Sequence, residues 1–145
     1  MIDIILFYGP DEPYFELANY YERTIMLDGE AWPTVEHYFQ SQKTNLPEWR
    51  EKIRTCGTPD ESKKLGWEVP DYHDDNWLKK RESVMETAVR AKFDQHLDLR
   101  EILLSTKDSL LIEDSPVDQF WGMVDGKGQN KMGRLLMRIR DDYLV

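Results

Sequence analysis

The chain is predicted to be a mainly helical α+β domain with a small sheet and hairpin near its N-terminus, and three observations predict it. An apolar, β-branched run, Ile4-Ile5-Leu6-Phe7-Tyr8, ends at the breaker pair Gly9-Pro10. An Asp28-Gly29 pair, the strongest short hairpin signal, stands between Thr24-Ile25-Met26-Leu27 and Glu30-Ala31-Trp32. From Pro33 onward, helix caps and 3.6-residue spacing recur almost to the C-terminus.

In order, residues 2–8 read as a buried strand and 24–32 as a hairpin. Thr34 is the expected N-cap of a helix from Val35 to about Lys43. A second helix begins near Pro47-Glu48 and stops at Gly57. Thr58-Pro59-Asp60-Glu61 is a capping box with proline in the first helical position, and Gly66 is expected to close that short helix. Asp74 or Asp75 caps the longest helix, in which Trp77, Val84, Met85, Ala88 and Ala91 keep helical spacing. A bend near His96 leads into helix at Asp98–Leu104, residues 109–113 suggest a short strand, 122–130 a glycine-rich loop, and Met132–Tyr143 a final amphipathic helix. No repeat or linker interrupts the pattern, so residues 1–145 are expected to form a single domain.

Composition narrows the function classes. A formal charge of -9 and a pI near 4.8 argue against broad duplex binding, which relies on many Lys and Arg contacts to phosphates. They leave room for a small basic pocket or a short single-stranded segment. With one cysteine, Cys56, no intramolecular disulfide forms. The N-terminal apolar run is too short and lacks the basic flank of a signal peptide, and no stretch approaches a membrane span, so a cytoplasmic location is expected. No obligate protein partner is evident. His37, His73 and His96 are 36 and 23 residues apart with no second ligand at metal spacing, so neither a metal nor another cofactor is expected.

Two constellations carry chemistry. Glu36 and Lys43 are seven residues apart, about 20° from eclipsed on a helix and roughly 10 Å apart along its axis, with Phe39 and Gln40 between them. A carboxylate, an amide and an ammonium group then converge on one small ligand. The competing reading is a solvated polar stripe with a glutamate suited to the helix dipole. The second constellation is Asp118-Gln119-Phe120-Trp121-Gly122 followed by Asp125-Gly126-Lys127-Gly128-Gln129-Asn130. Glycines before a helix expose amides that suit a phosphate, whereas a plain surface turn, with Asn130 capping the last helix, is the simpler reading. The stripe Trp77, Arg81, Met85 and Ala88 reads as packing.

Together these strings resemble the YbiA/NADAR family. The resemblance rests on Trp32-Pro33-Thr34-Val35-Glu36-His37-Tyr38-Phe39-Gln40-Ser41-Gln42-Lys43, on Phe7-Tyr8 and Leu17-Ala18-Asn19-Tyr20 upstream, and on Ala91-Lys92-Phe93-Asp94-Gln95, Leu103-Leu104-Ser105-Thr106, Asp118-Gln119-Phe120-Trp121-Gly122 and Gly128-Gln129-Asn130-Lys131-Met132-Gly133-Arg134-Leu135-Leu136-Met137 downstream. Ala18 stands where the family usually has serine, and Met123-Val124 make the loop less glycine-rich. The resemblance implies a YbiA-like fold and N-glycosidase activity. The implied substrate is a phosphoribosyl-pyrimidine intermediate of riboflavin synthesis or ADP-ribose linked to guanine, free or in nucleic acid. The alternative is a non-catalytic ADP-ribose or nucleotide-binding module.

Glu36, Lys43 and Asp118 are then the expected catalytic residues. Glu36 would stabilise charge at C1′ or act as a base, Lys43 would attack C1′ or only hold a phosphate while water attacks, and Asp118 would orient the ribose or act as an acid. Asn19, Tyr38, Gln40, Trp121, Gly122, Gly128 and Asn130 are the expected substrate-binding residues.

Overall fold

A computed structural model describes residues 2–145. Its elements are β1 (Ile4–Phe7), β2 (Ile25–Leu27), β3 (Glu30–Trp32), α1 (Val35–Ser41), α2 (Pro47–Thr55), α3 (Pro59–Glu68), α4 (Asp74–Gln95), α5 (Leu97–Ser105), β4 (Leu110–Glu113) and α6 (Lys131–Tyr143), with one 3-10 turn at Phe15–Leu17. The class is α+β, as the sequence predicts. The chain forms two compact units, Glu22–Gln95 and the described residues up to Tyr21 together with His96–Val145.

In the unit Glu22–Gln95, β2 and β3 pair antiparallel, Ile25 opposite Trp32 and Leu27 opposite Glu30. The connection Asp28-Gly29 has φ of 55° and 78°, the two positive values that a tight two-residue hairpin turn demands. Gln95, at the end of α4, closes on the hairpin with both ends of its amide: it accepts from the Met26 amide and donates to the Met26 carbonyl, each at 2.8 Å. Helix α1 packs against α2, α3 and α4, and every one of its seven residues is buried. A helix buried all round is a central element rather than a surface one. Phe39 meets Trp77 of α4 edge-on, ring centres 4.9 Å apart.

In the other unit, β1 and β4 pair in parallel, Ile4 opposite Leu110 and Phe7 opposite Glu113. Helix α6 lies on β4 so closely that a β-carbon at Gly133 would stand 2.1 Å from the Leu111 carbonyl oxygen. Phe7, Leu99, Leu103, Leu111, Met132, Leu136 and Ile139 are almost fully buried. The Arg140 guanidinium donates to the Thr106 hydroxyl and the Ser109 carbonyl, both at 2.9 Å, which ties α6 to the end of α5.

Three local expectations are corrected. The N-terminal strand is not buried throughout: Ile4 and Leu6 are 60% and 53% exposed, because their face of the two-stranded sheet is not covered by another layer. Gly66 does not close α3. The helix runs on to Glu68, and Gly66 sits inside it, where its missing side chain makes room for Gln40. Asp74 and Asp75 lie in the first turn of α4 rather than ahead of it, the favourable end of the helix dipole for carboxylates.

Candidate active site

The site is built from α1 outward. Thr34 caps the helix: its hydroxyl oxygen accepts from the His37 amide at 3.1 Å. Glu36 and Gln40 are 4% and 3% exposed, which excludes the solvated stripe. A buried carboxylate is costly unless compensated, so its presence here demands a reason that a surface glutamate would not.

The helix ends earlier than the spacing predicts. Amides of Gln42, Lys43 and Thr44 bond back three residues, to the carbonyls of Phe39, Gln40 and Ser41, and these tight turns place Lys43 just beyond the helix rather than within it. Lys43 still feels Glu36. Burial pushes its amine below the ordinary lysine range, the Glu36 charge pulls it back up, and Lys63 on α3 pushes it down again. The Lys43 ammonium lies over two indoles, 4.6 Å from the ring centre of Trp67 and 5.7 Å from that of Trp77. Trp77 is buried and Trp67 is 72% exposed. Trp77 packs edge-on against Phe39, as its place in the stripe predicts, with the Lys43 ammonium beside its ring. Sequence reading missed Trp67, whose position after Gly66 suggested only a helix end; a lone tryptophan on an otherwise polar helix was the available signal.

Gln40 packs its amide against Gly66, and its Oε1 takes no hydrogen bond among the described residues. Tyr38, two residues from Glu36, points to the other side of α1. Its hydroxyl donates to Asp28 at 3.0 Å in the hairpin turn, and its ring meets Trp32 edge-on. Burial and the Asp28 carboxylate push its pKa up to about 12. His37 is fully engaged: Nδ1 meets the Thr34 hydroxyl at 2.8 Å and Nε2 the Cys56 carbonyl at 3.1 Å. A cavity of about 410 Å³ beside it is lined by Glu22, Arg23, Thr24, Pro33, His37, Cys56 and Gly57, none of them an expected site residue.

The remaining expected residues stand in the other unit. Asn19 follows the 3-10 turn. Asp118 shapes its own loop: Oδ1 accepts from the amides of Phe120 and Trp121, both at 2.8 Å. Trp121 meets Phe120 edge-on at 4.9 Å. Gly122 is forced to be glycine, since a β-carbon there would lie 2.5 Å from the Glu113 carbonyl oxygen; Gly128, at φ 144°, would meet the Gly122 carbonyl oxygen at 2.6 Å. The amides that the sequence offers to a phosphate are largely taken. Those of Gln129, Asn130, Lys131 and Met132 donate to the carbonyls of Gln119, Gly122, Phe120 and Trp121. Nor does the Asn130 side chain cap α6. It accepts from the Glu113 amide at 3.0 Å and donates to the Leu111 carbonyl at 2.9 Å, so that β4 gains hydrogen bonds along its second edge. Glu113, buried at the end of β4 beside Gly122, is a carboxylate that sequence reading passed over as strand. Among the described residues no three His, Cys, Asp or Glu side chains gather as a metal site would need, and no helix is long and apolar enough to cross a membrane.

Comparison with known proteins gives this arrangement a class, that of enzymes cleaving N-glycosyl bonds. Residues 6–143 match the NADAR domain, and the chain belongs to that family. It is 40% identical over 143 residues to the N-glycosidase YbiA of Shigella flexneri serotype 5b, covering 98% of this chain and 89% of that protein. It is 39% identical over 139 residues to a riboflavin biosynthesis protein of Vibrio vulnificus, covering 95% of this chain and 38% of that longer one. The solution structure of Escherichia coli YbiA superposes with a TM-score of 0.88 at 39% identity, over 99% of this chain and 87% of that one. On that membership the chain stands among the N-glycosidases, hydrolases of N-glycosyl bonds.

Proposed function

We propose that the chain hydrolyses the C–N bond between ribose and a pyrimidine in a phosphorylated riboflavin-pathway intermediate, with Glu36 and Lys43 at the reacting carbon. The observation that carries the reading is the buried Glu36 carboxylate acting on an amine whose own proton affinity burial has lowered. Breaking a ribosyl C–N bond builds positive charge at C1′ as the base departs with the bonding electrons. A carboxylate in a water-poor setting stabilises that charge far better than one in bulk water. A lysine with a lowered pKa keeps more of its neutral form near neutral pH, and the neutral amine is the nucleophile. Attack by Lys43 at C1′ gives a ribosyl-amine that opens to an imine, which water then hydrolyses. The net reaction adds one water, leaving the base with a proton and the sugar with a hydroxyl.

The relative named for riboflavin biosynthesis supports the choice of substrate. The net charge of -9 weighs against ADP-ribosylated guanine within long nucleic acid.

The test offers the purified protein two substrates, the phosphoribosylamino-pyrimidine and ADP-ribosylated guanosine, and follows released base by mass spectrometry. Release from the pyrimidine substrate alone is the expected result. Release from the guanosine substrate alone overturns the assignment of substrate. Tight binding of either without product makes the chain a binding module.

A further inference from the structure

We propose that Trp67 is a positioning residue for Lys43, its exposed indole confining the end of the lysine side chain together with the buried Trp77. The inference rests on the reading that Lys43 reacts at the sugar carbon.

A tryptophan that is 72% exposed forgoes most of the apolar burial for which the residue is normally used. It sits on a helix whose other exposed positions are polar, so core packing does not account for it. What it touches is the lysine: the Lys43 Nζ lies 4.6 Å from its ring centre, within the range of a cation–π contact. Its placement is set by its neighbour. Gly66 lets α3 approach α1 until the Gln40 amide occupies the space a side chain would fill, which fixes the register of the two helices one residue before Trp67. The charges acting on the amine are those of Glu36 on α1 and of Lys63, one turn before Trp67 on α3; Lys80 on α4 has its Nζ 5.9 Å from the Trp77 ring centre. Lysine has four rotatable side-chain bonds and no fixed geometry of its own. Two ring faces confine a group that would otherwise swing into water, and reacting atoms held within a narrow range of positions react faster.

The test combines a spectroscopic and a kinetic reading on the full chain. In a ¹H–¹³C spectrum the Lys43 ε-methylene, assigned by its loss in Lys43→Met, is expected upfield of exposed lysines through the ring currents of the indoles. Trp67→Ala should return it toward the exposed position, and Trp67→Phe should keep part of the shift. In the base-release assay Trp67→Ala should lower kcat about tenfold with KM within about twofold, and Trp67→Phe should recover most of the loss. An unmoved resonance in Trp67→Ala overturns the inference, as does a raised KM with kcat unchanged, which would make the indole a substrate contact. Full turnover in Lys43→Met would instead bring down the catalytic reading, and this inference with it, whatever the resonance shows.

Discussion

Gly66 lies directly against Gln40: a β-carbon built at position 66 would stand 2.1 Å from the Gln40 amide oxygen. The contact joins α3 to the buried helix that carries Glu36. Gly66→Ala should therefore destabilise the protein, although alanine is the better helix former by about 1 kcal/mol. Overpacking at such a site costs about 1–3 kcal/mol, and the sign of the net effect decides which influence wins. Denaturant unfolding is expected to show a loss. The double variant Gly66→Ala with Gln40→Ala should recover part of it, a coupling that is absent if the helices simply move apart.

A second prediction concerns pH. Burial lowers the Lys43 pKa from its ordinary 10.5. Between the folded value and 10.5, the unfolded chain binds the extra proton, so stability rises with pH across that window. The base-release rate should rise through the lower edge of the same window as the neutral amine forms. Replacing Lys43 by Met should remove the alkaline rise in stability. A slope that is unchanged in the variant would assign it to another group.

His37 gives an acid-side counterpart. Desolvation lowers its pKa below 6.5, opposed chiefly by its bond to the Cys56 carbonyl. Below 6.5 the unfolded chain takes up a proton that the folded one resists, until the folded pKa is reached. Its contribution to stability therefore falls as pH drops from 6.5 into that range. Thermal unfolding followed from pH 7 to 5 should show the loss, and His37→Asn should flatten it.

Asn130 holds β4 through two buried hydrogen bonds and adopts a left-handed backbone, φ 50°, that asparagine tolerates better than most residues. Asn130→Ala leaves the Leu111 carbonyl and the Glu113 amide without those partners, and should cost about 2–4 kcal/mol. If the residue served only a ligand, unfolding would be unchanged while KM rose.

What the sequence revealed, and what it did not, follows from the range of the forces involved. The Asp28-Gly29 hairpin, the Thr34 and Thr58 caps and the break at His96 are local, set by a few dihedrals and one or two hydrogen bonds, and all stand where they were expected. Gly66 and Asn130 misled because their roles are tertiary. A glycine near the end of a helix looks like a stop until Gln40 fills the space beside it, and an asparagine before a helix looks like a cap until β4 takes its side chain. Trp67 was silent for the same reason: nothing in Leu65-Gly66-Trp67 announces a lysine from 24 positions upstream. Glu36 and Lys43 stood out as a pair, but whether they formed a solvated stripe or a buried one depended on the helices that enclose α1.

The role of Glu36 is tested most directly by comparing wild type and Glu36→Gln on the phosphoribosylamino-pyrimidine, measuring released base alongside substrate affinity. The substitution keeps the shape and removes the charge. Wild type should release base and Glu36→Gln should lower kcat about 10²–10³-fold, the usual scale for losing one preorganised electrostatic group, with affinity changed far less. Equal turnover by the two proteins would contradict that role.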